Sequence, residues 1–296
     1  MEYGVSTHYI LRTTHYFLPE IRTQRLTTKD QQRRNMLNNI FLSVPIDYLE
    51  QEQKLIEKKK FNLELKIFAH HLDNYNFSDF VDFNNFLKSL NLRLTFHAPF
   101  VDMRPGSFDE KIRLITLDRF INIIDLASIF KPENIVFHAG FFEPIEGWFF
   151  DKWFNNAMKT WNKVKKYCEK INQKFSIENV FEKDYTLHKK LLNKIDSNLC
   201  GICLDVAHHN VFAKNNLKEW FKEFREKIFE LHIHDNDGEK DWHWAVGDGE
   251  INFKNIFIFA KKYCPDAILT LEAHDKDTML KTYERVVKLC EQLFKE

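Results

Sequence analysis

Short apolar runs rich in β-branched and aromatic residues alternate with longer segments of helical period along most of this chain. That alternation restricts the fold more than any other feature. The β-type runs are "EYGVSTHY" (2–9), "FNLELKIFA" (61–69), "LRLTFHA" (92–98), "NIVFHAG" (134–140), "FSIENV" (175–180), "GICLDVAH" (201–208), "IFELHIHD" (228–235) and "AILTLEAH" (267–274). Helical period fits 107–130, 148–171, 184–196, 215–227, 253–263 and 277–294. Ser107 is placed to cap the first of these, with Asp109 and Glu110 in its first turn. Strand–helix units repeated eight times predict an α/β fold, a single closed (β/α)8 barrel over 1–296. An open doubly wound sheet is the alternative. It ordinarily carries a Gly-rich phosphate turn, and a chain of eight glycines without G-x-G-x-x-G lacks that signal.

Residues 19–60 fit the pattern poorly. They open with the polar "RTQRLTTKDQQRRN" and end in "EKKK" at 57–60. The reading is a long polar insertion, a loop plus one solvated helix; a basic substrate-gripping loop is the sharper alternative.

Lys+Arg and Asp+Glu both number 43, so the formal net charge of zero advertises neither nucleic acid nor an anionic membrane as partner. No apolar run approaches the roughly 20 residues that span a bilayer. The first residues lack the charged start and apolar core of a signal peptide, so a cytoplasmic location is expected. Five cysteines give no disulfide framework in a chain of 296 residues. Cys200 and Cys203 form a C-x-x-C, but they lead into a strand-like run rather than a helix, and no second C-x-x-C completes a zinc site. Both are expected to be buried strand residues.

The ionisable residues recur at strand ends. His97 closes the third run and His138 the fourth; Glu178 lies at the end of the fifth, Asp205 and His208 at the sixth, His232 at the seventh and Glu272 at the eighth. From His97 to Glu272, taking Asp205 and His232 in order, the intervals are 41, 40, 27, 27 and 40 residues, about one βα unit or slightly more. Each therefore falls at the C-terminal mouth of a barrel, where such folds keep their active sites. A lone His at a strand end is ordinarily a hydrogen-bonded structural residue. Six strands ending in His, Asp or Glu put too much ionisable surface at one mouth unless cations are shared. Nitrogen and carboxylate oxygen without sulfur suit Zn, Mn or Fe. Asp241 and His243, in the "DWHW" of the following loop, can reach back over the mouth, while His234 and His209 are left outside the ligand set.

In "FHAPF", "VFHAG", "IEN", "LDVAH", "HIHD", "DWH" and "LEAH" the chain resembles the xylose-isomerase-like barrel superfamily across about 92–275; before that only "GVST" matches. Its branches include endonuclease IV (AP endonuclease family 2) and sugar-phosphate isomerases and epimerases. The resemblance to endonuclease IV implies nine ligands for up to three zincs: His97, His138, Glu178, Asp205, His208, His232, Asp241, His243 and Glu272. Phe100 takes the place of an aromatic that the nuclease presses into the duplex. The isomerase branch implies one divalent metal on Glu178, Asp205, His232 and Glu272, with His208 serving the substrate. Neutral net charge and "HIHDNDG" favour a metal-dependent sugar or sugar-phosphate isomerase or epimerase, in which Glu178 and Glu272 move the proton and His208 assists. A zinc-dependent phosphodiesterase acting on abasic DNA is the alternative, and a metal-binding barrel without catalysis a third.

Overall fold

In the computed structural model, which describes residues 27–295, eight parallel strands pair in sequence order and close into a barrel. They are β1 (Ile40–Pro45), β2 (Asn62–Lys66), β3 (Leu94–His97), β4 (Ile135–His138), β5 (Phe175–Glu178), β6 (Cys200–Asp205), β7 (Ile228–Ile233) and β8 (Ile268–Leu271). Closure is made by β1 on β8, with Ile40 opposite Leu269 and Leu42 opposite Leu271. The fold is the (β/α)8 barrel that the alternating pattern predicts.

Helices cover the outside, so the outward faces of the strands are buried and carry Phe, Ile and Leu. Phe120, from the helix Glu110–Phe130, lies 4.7 Å from Phe137 of β4, and Trp161, from the helix Phe150–Ile171, lies 5.8 Å from Phe120. Trp153, Trp161 and Trp220 are fully buried in this layer. Each such side chain contributes roughly 1.5–3 kcal/mol by leaving water.

Inside the barrel the filling is unusually polar. Ser43, Glu64, Thr95, Ser176, Glu230 and Thr270 are all buried there. Asn134 donates to Ser176 at 2.7 Å and to Glu230 at 2.8 Å, and Thr95 and Thr270 also donate to Glu230. Buried polar groups persist where they are hydrogen-bonded, and this network satisfies the Glu230 carboxyl on both oxygens. Burial and the neighbouring Glu64 push that carboxyl up to about 7.

Two expectations need correcting. The strand read at 2–9 lies outside the described residues, and β1 is instead "IFLSVP" at 40–45, inside the stretch read as a polar insertion. Only six residues long and flanked by charge, that run is submerged when the segment is read for average polarity. Within 27–60 the chain also forms helices at Thr28–Asn38, Tyr48–Gln51 and Gln53–Lys59. The second correction concerns the cap at 107–130: the helix starts at Glu110, and Asp109, not Ser107, caps it by accepting from the Lys111 N–H at 2.7 Å. The five cysteines are free and buried, with Cys200 and Cys203 on β6 as expected.

Parallel pairing sets the level of the polar residues. His138 stands opposite Glu178, Asp205 opposite His232, and Lys66 opposite His97, all at the C-terminal ends of their strands.

Candidate active site

Glu178 is the hub of the mouth. Its Oε2 lies 3.2 Å from Nε2 of His97 and 3.2 Å from Nε2 of His138. Its Oε1 lies 3.3 Å from Nδ1 of His208 and 3.3 Å from Nδ1 of His232. One carboxylate thus faces four imidazoles, two on each oxygen. Burial alone would raise the Glu178 carboxyl, but His232 and His138 beside it and hydrogen bonds from His138 and His208 outweigh burial and hold it well below the usual range.

Around Nδ1 of His232 three carboxylate oxygens gather: Glu178 Oε1 at 3.3 Å, Glu272 Oε1 at 3.8 Å and Asp205 Oδ2 at 4.0 Å. That nitrogen is buried and makes no hydrogen bond. Three carboxylates converging on a buried ring nitrogen that has no hydrogen-bond partner fit a divalent ion of the Zn, Mn or Fe type. Glu272 is likewise held well below its usual range, where Lys66, His232 and His243 outweigh burial.

The rings are oriented by groups outside that set. Nδ1 of His97 faces the Ala98 carbonyl at 2.9 Å and Nδ1 of His208 the Asn179 carbonyl at 3.0 Å. A carbonyl only accepts, so these nitrogens carry the N–H, and Nε2 of each ring is left to face carboxylates. His97, His138 and Glu178 form one compact donor group. Burial lowers His138, while for His97 the hydrogen bond to Glu178 and the charge of Glu64 overcome burial and raise it.

A second group sits above. Nε2 of His208 is 3.2 Å from Oδ2 of Asp241, and Nε2 of His243 is 3.3 Å from the same oxygen. His208 is not on β6 but in the first turn of the helix Val206–Phe212, which Asp205 caps by accepting from the Ala207 and His208 N–H groups. Asp241 and His243 hang from the loop after β7. Asp235 braces that loop: its carboxylate accepts from the N–H groups of Gly247, Gly249 and Ile251 at 2.8, 2.9 and 3.2 Å. Gly249 is required there, because a Cβ would sit 2.2 Å from the Asn236 carbonyl oxygen. His243 holds a φ of 53°, an uncommon left-handed conformation for a side-chain-bearing residue and one that tends to mark functional loops.

All nine residues singled out in the sequence are therefore brought together. Sequence reasoning missed three neighbours. His234 joins His208, Asp241 and His243, with Nε2 3.1 Å from Asp205 Oδ2. Its ring lies flat on His243, centroids 3.7 Å apart and planes 3° from parallel. A ring nitrogen binds metal in its own plane, so this pose makes His234 a brace for Asp205 and His243 rather than their co-ligand. Strand alternation with His232 was the available signal. Lys66, 3.9 Å from Glu272, and Glu64, beneath His232, come from β2, whose charged residues alternate inward in "NLELK". His209, set aside in the sequence, is buried against Trp220 and belongs to neither group.

His97, His138, Glu178, His208, Asp241, His243 and Glu272 line the floor of a cavity of about 740 Å³ walled by Phe68, Phe100, Phe141, Phe142, Phe181 and Phe212, whereas Asp205 and His232 are fully buried behind that lining. Phe100 stacks on His138 at 4.7 Å.

Known proteins share this barrel. A family model described as xylose isomerase-like TIM barrel matches residues 61–293. The uncharacterized protein MJ1614 of Methanocaldococcus jannaschii is 31% identical over 191 residues, 64% of this chain and 73% of its own. Among solved structures, a D-tagatose 3-epimerase-like protein superposes with a TM-score of 0.74 at 22% identity, covering 86% of this chain and 98% of its own. The TTHB071 protein from Thermus thermophilus, soaked with zinc chloride, superposes with a TM-score of 0.71 at 20% identity over 86% and 98%.

Proposed function

The chain belongs to the xylose isomerase-like TIM-barrel family, and on that premise we propose that it is a divalent-metal-dependent isomerase or epimerase of a sugar or sugar phosphate. The observation that carries the reading is the orphaned Nδ1 of His232, ringed by Asp205 and by Glu178 and Glu272, the two of them that line the cavity floor. Glu178, Asp205, His232 and Glu272 would hold the ion. When bound there, it supplies Lewis acidity to a sugar carbonyl and the adjacent hydroxyl.

The remaining work falls to side chains. Glu178 and Glu272, both buried on the cavity floor, take and return the proton at the carbon between the two oxygens. His208 holds a substrate oxygen. The phenylalanine wall excludes water and packs the C–H faces of the sugar. The likeness to a D-tagatose 3-epimerase-like protein points the same way.

The zinc-phosphodiesterase reading draws on the same floor, because His97 with His138 and His208 with Asp241 and His243 offer room for further ions. The cavity walls argue for the sugar. Phosphate contacts dominate DNA affinity. Among the described residues, the Lys and Arg side chains that line the cavity are Lys66 and Arg104, and each already faces a carboxylate, Glu272 at 3.9 Å and Glu146 at 3.6 Å. The deciding experiment incubates metal-loaded protein with a panel of ketoses and their phosphates in D2O and, separately, with abasic duplex DNA. Deuterium entering a sugar C–H supports the proposal; strand cleavage without exchange overturns it.

A further inference from the structure

We propose that Glu64 is a positioning residue that fixes His232 for metal binding, with Ser43 locking Glu64 and Glu272 into one frame. The inference rests on the metal reading above and adds residues to it. Oε2 of Glu64 lies 3.2 Å from Nε2 of His232, and both side chains are wholly buried. Ser43 donates to Oε1 of Glu64 at 2.6 Å, and its Oγ lies 3.3 Å from Oε1 of Glu272. With one Glu64 oxygen taken up by the hydroxyl, the other faces the ring as an acceptor. His232 therefore carries its N–H on Nε2 and presents Nδ1, the orphaned nitrogen, to Glu178, Asp205 and Glu272. β1 contributes no residue to the nine sequence-derived ligands, and β2 none either. Through Ser43 and Glu64 these two strands reach the site from below.

The test uses full-length protein loaded with zinc. In wild type, 15N spectra of the His232 ring should show a protonated Nε2 and a zinc-bound Nδ1. Zinc binding through Nε2 would overturn the proposal. Apparent zinc affinity is then measured by competition with a chromophoric chelator. Glu64→Leu, which removes the acceptor at similar volume, should weaken zinc binding roughly 10–100-fold, the usual effect of losing a partner behind a ligand. Glu64→Gln keeps a carbonyl acceptor and should recover most of that loss. Ser43→Ala should cost less than Glu64→Leu. A folded Glu64→Leu protein with zinc affinity within about twofold of wild type contradicts the proposal; if that variant does not fold, the wild-type spectrum and Ser43→Ala decide. Wild-type protein that takes up no zinc would instead remove the metal reading on which the inference stands.

Discussion

Oε1 of Glu178 lies 3.3 Å from Nδ1 of His232, a buried nitrogen without a hydrogen bond. The pair sits at the junction of both donor groups, because the other Glu178 oxygen faces His97 and His138. Removing the carboxylate leaves four imidazoles without their shared counter-charge.

Glu178→Ala should therefore abolish tight binding of a divalent transition ion, and Asp205→Ala should do the same by freeing both His232 and the His208 turn. Each is expected to weaken zinc by at least about 100-fold, since a ligand loss exceeds the roughly 10–100-fold effect of losing an outer partner. Chelator competition on folded protein reads it. Wild-type affinity in either variant would remove that residue from the ligand set.

Zinc affinity should rise with pH. Burial works against protonation of His208 and His232. Asp205, Asp241 and Glu178 around His208, and Cys203, Glu178, Glu64 and Glu272 around His232, outweigh it and push both rings well above the imidazole range. A bound cation must displace those protons. In the metal-free protein the sign is opposite. Raised folded values stabilise the fold fully below the unfolded value of about 6.5, and that contribution fades as pH rises through the folded values. Zinc should thus raise the melting temperature most on the alkaline side. Calorimetric titration in buffers of different ionisation enthalpy should detect proton release; an affinity flat from about pH 6 to 8 would contradict the assignment.

Asp235→Ala should loosen the loop that carries Asp241 and His243. A fully buried N–H left without an acceptor costs about 1–3 kcal/mol and a partly buried one less, and three partly buried backbone donors from Gly247, Gly249 and Ile251 converge here. Urea unfolding of the metal-free protein should show a loss of at least about 2 kcal/mol. Stability within about 0.5 kcal/mol of wild type would show that the loop is held by other means.

The barrel was legible because seven of its strands are apolar runs at βα spacing, and the mouth residues because each ends or directly follows a strand or sits in "DWH", except His208, which lies three residues beyond Asp205 in the first turn of the next helix. β1 was not: "IFLSVP" is short and lies between charged segments, and the competing "EYGVSTHY" falls outside the described residues. Glu64 was hidden for a different reason. A glutamate within a strand reads as solvent-facing until closure of the barrel shows that its alternate face turns inward onto His232. The stacking of His234 on His243 depends on a loop turn that no periodicity encodes.

The central claim, proton transfer at carbon by Glu178 and Glu272 over a bound ion, is tested most directly by solvent deuterium exchange in Glu→Gln variants. Gln keeps the size and one carbonyl oxygen but removes the basic carboxylate. With a sugar that wild-type enzyme turns over, each zinc-loaded variant should slow turnover by roughly 10²–10⁴-fold, the usual worth of general acid–base catalysis. The variant lacking the abstracting base should admit no deuterium, while the other should still wash it into the substrate. A Glu178→Gln or Glu272→Gln protein that keeps its metal and isomerises at the wild-type rate would contradict the account.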